Sequence, residues 1–230
     1  MLILEIKFPM DRTKNAVEVF DKRATEYQDK FMDVSLYHEC FDKFCDAISE
    51  TKGDILDIAC GPGNVSKYLL QQRPDYRIMG IDLSSRMIAL AQVNNPTAKF
   101  EVMDCRNMRS LGSRFHGIVC AFVLPYLSKE ATGKLIADTY ELLLDGGVIY
   151  ISTMEDAYEK SKMVTSSYGD KIFMYFHDLN YLNQALVDSC FEILETRRQT
   201  YPTTDGTSVV DLIIIAKKKG ETINTVAPPN

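Results

Sequence analysis

Three aspartates (Asp57, Asp82 and Asp104) and two glycines (Gly61 and Gly63) are spaced as groups that could hold a nucleoside. In "ILDIACGPGN", residues 55–64, a carboxylate stands inside an apolar run that a Gly-Pro-Gly turn then ends. Glycines at such a turn let the backbone approach a ligand, and the helix that follows opens with unpaired N–H groups. Asp82 follows Gly61 by 21 residues (82 − 61), the interval at which an acid accepts the hydroxyls of a ribose. Asp104 closes the next strand-like run, "KFEVMD". One such carboxylate is ordinarily a helix cap or a solvated strand end. Three at one rim, beside a glycine turn, fit a nucleoside-bearing ligand better. Asp57 is tolerable in its apolar run if loop N–H groups satisfy it, because an unpaired buried carboxylate is prohibitively costly.

The elements that must position these residues alternate. "DILDIAC" is a short, nearly continuous apolar run, the pattern of a strand buried on both faces. "NVSKYLLQQR" is helical, with Asn64 as its expected N-cap, and "YRIMGID" is the next strand. A helix capped by serine, "SSRMIALAQV", leads to the third strand, and "HGIVCAFVL" is the fourth. Residues 128–144 read as a helix, "DGG" as a turn and "VIYIST" as the fifth strand. This alternation predicts right-handed βαβ units on a parallel sheet. Before it, residues 13–31 read as one amphipathic helix with Phe20, Ala24, Tyr27 and Phe31 on its stripe, and a second helix carries Tyr37, Phe41, Phe44 and Ile48. After it, residues 154–176 show no clear period, Asp178 caps a helix, and two strand-like runs joined through "PTTDG" predict an antiparallel edge hairpin. The start, "MLILEIKFPM", reads as an edge strand or an extension, without the features of a signal peptide, and residues 220–230 read as a disordered tail.

Composition narrows the function classes. The chain has 230 residues, 46% of them hydrophobic and 25% charged, which suits one α/β domain with additions. Its net charge of −6 lacks the footprint of a nucleic-acid binder, and no apolar run is long enough to span a bilayer. Six cysteines form no CxxC pair, and with three scattered histidines they predict free thiols of a reducing, cytoplasmic compartment and no metal site.

On "DIACGPG", "GIDLSSRMI", "VMDCRNM" and the long strand "GIVCAFVLPYL", the sequence resembles the class I S-adenosylmethionine-dependent methyltransferases of the small-molecule type. The likeness is strong over residues 54–153 and holds in outline over 178–217. It implies a Rossmann-like, doubly wound, mostly parallel seven-stranded sheet with one antiparallel C-terminal strand. It also implies an N-terminal helical cap over residues 1–50, a methyltransferase domain over 51–219 with a lid-like insertion at 154–177, and S-adenosyl-L-methionine as cofactor. Residue by residue, Asp57 would lie near the methionyl end and hold the glycine loop. Ala59, Gly61 and Gly63 would let the backbone pass beneath the cofactor, with Ala59 keeping a negative φ. Asp82 would take the ribose hydroxyls, and Leu83 and Met87 would flank the adenine. Asp104 would accept from the exocyclic amine, with Cys105 presenting backbone. Ala121 and Phe122 would lie by the methionyl group, and Tyr27 would close the pocket. His116 and Cys190 depart from the family's usual acid and glycine.

The implied reaction is an in-line displacement of the sulfonium methyl by an O, N, S or carbon nucleophile of an unidentified small molecule. His177, ahead of a helix, and Tyr126, just past the fourth strand, are the expected general bases, with His116 a weaker candidate at the far end of its strand. "MVTSSYGDKIFMYFHD" reads either as an acceptor pocket or as the core of a lid. Two other functions compete. A nicotinamide-dependent oxidoreductase would use Asp82, but Ser66 stands where the dinucleotide fingerprint has its third glycine. A non-catalytic module on the same fold predicts a damaged site, whereas the three acids and both glycines are intact.

Overall fold

Seven strands form one sheet in the order β3-β2-β1-β4-β5-β9-β8. The computed structural model describes residues 12–166, 168–202 and 208–220; the expected N-terminal strand or extension, the "PTTDG" connection from 203 on and the tail from 221 lie outside these. The central strands are β1 (Asp54–Ile58), β2 (Arg77–Asp82), β3 (Lys99–Val102), β4 (Phe115–Ala121) and β5 (Leu143–Met154), paired in parallel. Beyond β5, β9 (Ser208–Lys218) runs antiparallel, and β8 (Phe191–Pro202) pairs antiparallel with β9 at the edge. The sheet is therefore mostly parallel with one reversed strand, as expected.

Alternate residues of the central strands enter two cores. Leu56, Ile58, Ile118 and Cys120 face α6 (Lys129–Leu142) and α7 (Leu179–Asp188) through Leu135, Ile136, Leu182 and Leu186. Ile55, Val119 and Tyr150 face α3 (His38–Ala47) and α4 (Asn64–Gln72) through Phe41, Phe44, Val65 and Leu69. This two-residue alternation is why the strand sequences read as continuous apolar runs. Among the described cysteines, all six thiols are free.

The N-terminal stripe folds differently from the single helix expected. It forms α1 (Arg12–Lys22) and α2 (Ala24–Phe31), separated at Arg23, whose φ of −108° and ψ of 21° leave the helical region. α5 (Ser85–Asn94) is capped by Ser84, which accepts from the Met87 N–H at 3.1 Å, and α7 by Asp178, which accepts from the Tyr181 N–H at 3.0 Å. α4 is entered through Gly63 and not Asn64. The segment after β5 forms a short antiparallel hairpin, β6 (Lys162–Thr165) with β7 (Lys171–Met174), that packs on α1.

Candidate active site at the carboxyl ends of the strands

Two adjoining cavities open above the carboxyl ends of β1, β2 and β4, where ligands of open α/β sheets bind. The narrower, about 110 Å³, lies against Ala59, Gly61, Asp82, Leu83, Met87 and Cys105. The wider, about 420 Å³, extends under α1, α2 and the β6–β7 hairpin. Phe20, Tyr27, Ala121, Phe122 and Tyr126 border both, so they form the junction.

Asp82 ends β2 at the floor of the narrow cavity. It accepts the Gly61 N–H at 3.0 Å and the Ser84 N–H at 2.8 Å, and so ties the glycine loop to the start of α5. Burial raises its pKa above the usual carboxylate value, against the pull of those backbone donors. Gly61 has a φ of 54°, and a Cβ there would meet only the Tyr27 ring, 3.8 Å away. The loop thus leaves its upper side open to a ligand.

Asp57 lies at the inner wall of the wide cavity and is 1% exposed. Its partners are the hydroxyl of Ser66, which donates at 2.6 Å from the first turn of α4, and the N–H of the same residue. The expected support from glycine-loop N–H groups is absent, because Gly61 donates to Asp82 instead. With so little compensation, burial pushes the Asp57 pKa up to about 7.

Several other expectations need correction. Ala59 has a φ of 55°, not a negative value, and Phe122 has 56°; both are non-glycine residues in the left-handed region, beside the site. Gly63 borders neither cavity. Its φ of 77° makes the turn into α4, and a Cβ would collide with the Asn95 amide and lie 3.2 Å from the Ala91 Cβ of α5. Asp104 also borders neither cavity: it accepts the Arg106 N–H at 2.9 Å and the Arg106 guanidinium, while its neighbours Met103 and Cys105 line the narrow one. Those hydrogen bonds hold its pKa low although burial opposes them.

His177 is 0% exposed and does not reach the site. Its Nε2 lies 3.1 Å from the carbonyls of both Leu124 and Leu127, so it braces the turn after β4. Burial lowers its pKa, and the carbonyls it donates to oppose that shift. His116 accepts the Asp54 N–H at 3.0 Å at the opposite end of the strands. Tyr126 does stand at the junction, its ring 5.0 Å from that of Phe20. Burial and the neighbouring Tyr27 push its pKa upward, so at neutral pH it is a phenol and no base. Tyr27 is likewise raised, to about 12, by burial first and then by Asp82.

Residues of the stretch "MVTSSYGDKIFMYFHD", read as either an acceptor pocket or the core of a lid, line the wide cavity. From β6 and β7, Val164, Ile172 and Met174 point inward, and Tyr168 joins them from the turn between. Which of its side chains turn inward follows from the alternation in two four-residue strands. On the other face, Phe173 stacks against the Arg12 guanidinium at 3.6 Å. The segment is thus both pocket wall and lid packing. α1 is tied down by Asp21, which accepts from the Ser84 hydroxyl at 2.8 Å and the Arg86 N–H at 3.1 Å. The end of α2 is held by Asn64, whose amide donates to the Phe31 carbonyl at 2.8 Å.

Residues 55–147 match the family described as "Methyltransferase domain". Of curated relatives, a putative methyltransferase, 235L, of Invertebrate iridescent virus 6 is 31% identical over 98 residues, covering 42% of this chain and 36% of that protein. Trans-aconitate 2-methyltransferase of Escherichia coli is 45% identical over 88 residues, covering 38% of this chain and 31% of that protein. The matched stretch spans about a third of each relative's length. Among solved structures, 1,6-didemethyltoxoflavin-N1-methyltransferase of Burkholderia thailandensis, with its substrate and S-adenosylhomocysteine bound, superposes with a TM-score of 0.70 at 18% identity. That alignment covers 95% of this chain and 93% of the other. Residues 55–147 are thus similar to a methyltransferase domain, and the sheet as a whole has the fold of that solved structure.

The residues at the narrow cavity fit S-adenosylmethionine. The partly buried Asp82 carboxylate faces the cavity, the glycine loop leaves room for backbone contact, and Leu83, Met87 and Met103 offer apolar faces to a base.

Proposed function

We propose that the protein transfers a methyl group from S-adenosylmethionine to a small-molecule acceptor held in the wide cavity. One observation carries this reading: the Asp82–Gly61 floor of the narrow cavity opens, past Phe122 and Tyr126, into a second cavity large enough for a separate reactant. Asp82 and the glycine loop would hold the ribose and the methionyl backbone, and Leu83 and Met87 would hold the base.

The bound cofactor supplies an activated methyl on a sulfonium. The protein's own residues then have three tasks. Phe20, Tyr27 and Tyr126 exclude water from the junction, their rings 5.0 to 5.7 Å apart. The strained turn at Phe122, whose N–H donates to Ser152, fixes the wall between the two reactants. Alignment of two bound reactants is worth up to about 7–11 kcal/mol of barrier, so positioning alone accounts for much of the rate. No histidine or ionised phenol reaches the junction among the described residues, which leaves Tyr126 to orient an acceptor through its hydroxyl.

Isothermal calorimetry with S-adenosylhomocysteine tests the reading. Asp82→Asn keeps the shape and one acceptor oxygen but loses the charge, and charge-assisted bonds are worth roughly 1.5–3 kcal/mol, so affinity should fall about 10–100-fold. An unchanged dissociation constant would sink the assignment.

A further inference from the structure

Apart from Lys30 at the rim, the charged side chains on the wall of the wide cavity are already paired within the protein. Arg23 donates to Asp170 at 2.8 Å and to Glu26 at 3.0 Å, and its guanidinium lies 4.9 Å from the Tyr168 ring centre. Asp57 accepts from Ser66, and Asp33 accepts the Ser35 N–H at 2.8 Å. Lys30 is exposed at the rim, 5.0 Å from the Phe31 ring centre. The remaining surface is built from rings, thioethers and aliphatic groups, chiefly Phe20, Phe122, Tyr168, Ile172 and Met174.

Behind that wall lie buried carboxyl groups. The Tyr37 hydroxyl, from the cavity wall, donates at 2.6 Å to Asp211, which is 0% exposed and whose other oxygen has no hydrogen-bond partner. Asp57 is buried nearby, and Asp82 lies beneath the adjoining cavity. The buried basic side chain among the described residues, Lys218, sits at the opposite end of the sheet on the carbonyls of Tyr140 and Leu143. An anion entering this cavity would give up its water, find no unspent cation at depth and face buried carboxyl groups.

On the footing of the methyltransferase reading above, we infer that the acceptor is a ring-sized molecule with a largely apolar surface and no anionic group, and that the pocket rejects carboxylates and phosphates. A flat apolar body matches the ring and thioether wall, where methionine adapts readily to aromatic partners.

The test uses the full chain. Calorimetry with S-adenosylhomocysteine comes first; absence of binding breaks the underlying reading and this inference with it. The saturated complex is then titrated with naphthol and with naphthoate, which share a ring system and differ in charge. Naphthol should bind about tenfold or more tightly than naphthoate. Met174→Lys places a cation in the wall and should swing the ratio toward naphthoate, each variant being compared with its own saturated complex. Ile172→Lys serves the same purpose if Met174→Lys does not fold. Naphthoate bound as well as naphthol by the unaltered protein, no binding of naphthol, or transfer of methyl to a tricarboxylate such as trans-aconitate overturns the inference.

Discussion

The narrow cavity and the wide one are built by different means. The floor of the narrow one is the sheet itself: strand ends, a glycine loop and backbone donors such as the Gly61 and Ser84 N–H groups on Asp82. The roof of the wide one is made of peripheral pieces joined by side chains. Lys22 and Arg23 reach Asp170 across 148 and 147 residues of chain, and Arg12 stacks on Phe173. A floor set by backbone geometry tolerates little change. A roof set by ion pairs and cation–π contacts can be altered one contact at a time. A constant cofactor and a changeable acceptor ask for this division, since pockets vary on a fixed fold.

Gly63→Ala should show the floor's intolerance most strongly. The φ of 77° resists any Cβ, and the added methyl would press on Asn95 and Ala91 of α5. Left-handed strain and overpacking together should cost roughly 2–4 kcal/mol, read as a lower midpoint in urea unfolding. A midpoint unmoved by this substitution would show that the loop can relax, and the contrast between floor and roof would fail.

The next effect is a pH dependence that belongs to the wall shared with the floor. Asp57 has a folded pKa of about 7, above the roughly 3.9 of an unfolded aspartate. The folded state therefore binds the extra proton between these values, and stability contributed by the protonated form is lost as pH rises from about 4 to 7. Asp82 and Asp211, also raised by burial, act in the same direction. The lowered carboxylates of the roof and surface, Asp21 and Asp170, act below this window and in the opposite sense. The apo protein should melt higher at pH 5 than at pH 8, by an amount on the order of 1–4 kcal/mol. Asp57→Asn should flatten most of that slope. A slope unchanged in the variant would assign the effect elsewhere.

Asp170→Ala addresses the roof. It removes the shared partner of the exposed Lys22 and the partly buried Arg23, and ion pairs at the protein's periphery contribute little to global stability. The melting temperature should move far less than for Gly63→Ala. Amide hydrogen exchange should instead quicken in β6 and β7 while β1 and β2 stay protected, which is the signature of local opening. Equal loosening of both regions would mean that floor and roof form one cooperative unit.

The same division explains how much was legible in the sequence. The floor comes from short stretches in chain order, so the strand pattern, the glycine turn and the 21-residue interval to Asp82 could be read locally, and the family resemblance pointed to the residues beside them. Leu83, Met87, Cys105, Ala121 and Phe122 all border the narrow cavity. The roof depends on pairs such as Arg23 and Asp170, and no local period announces a contact between residues so far apart. His177 misled for a related reason: a histidine before a helix looks available until Leu124 and Leu127 are seen to supply its hydrogen-bond acceptors. Asp104 shows the limit of a motif even on the floor, because the side chain two residues on, Arg106, takes its carboxylate.

The smallest effect comes from one of the two places, Ala59 and Phe122, where a non-glycine residue at the floor takes a left-handed conformation. Ala59 adopts a φ of 55°, a conformation that favours glycine, directly between Asp57 and the open loop. Ala59→Gly would relieve left-handed strain of about 1–2 kcal/mol. It would also add backbone freedom to the unfolded chain at a cost of about 0.5–1 kcal/mol. The net gain should be a few tenths to about 1 kcal/mol, visible as a slightly higher melting temperature. A lower one would mean that the Ala59 methyl contributes more by packing at the cavity border than its backbone strain costs. The floor would then owe part of its shape to side chains, as the roof does, and the two regions would differ in degree and not in kind.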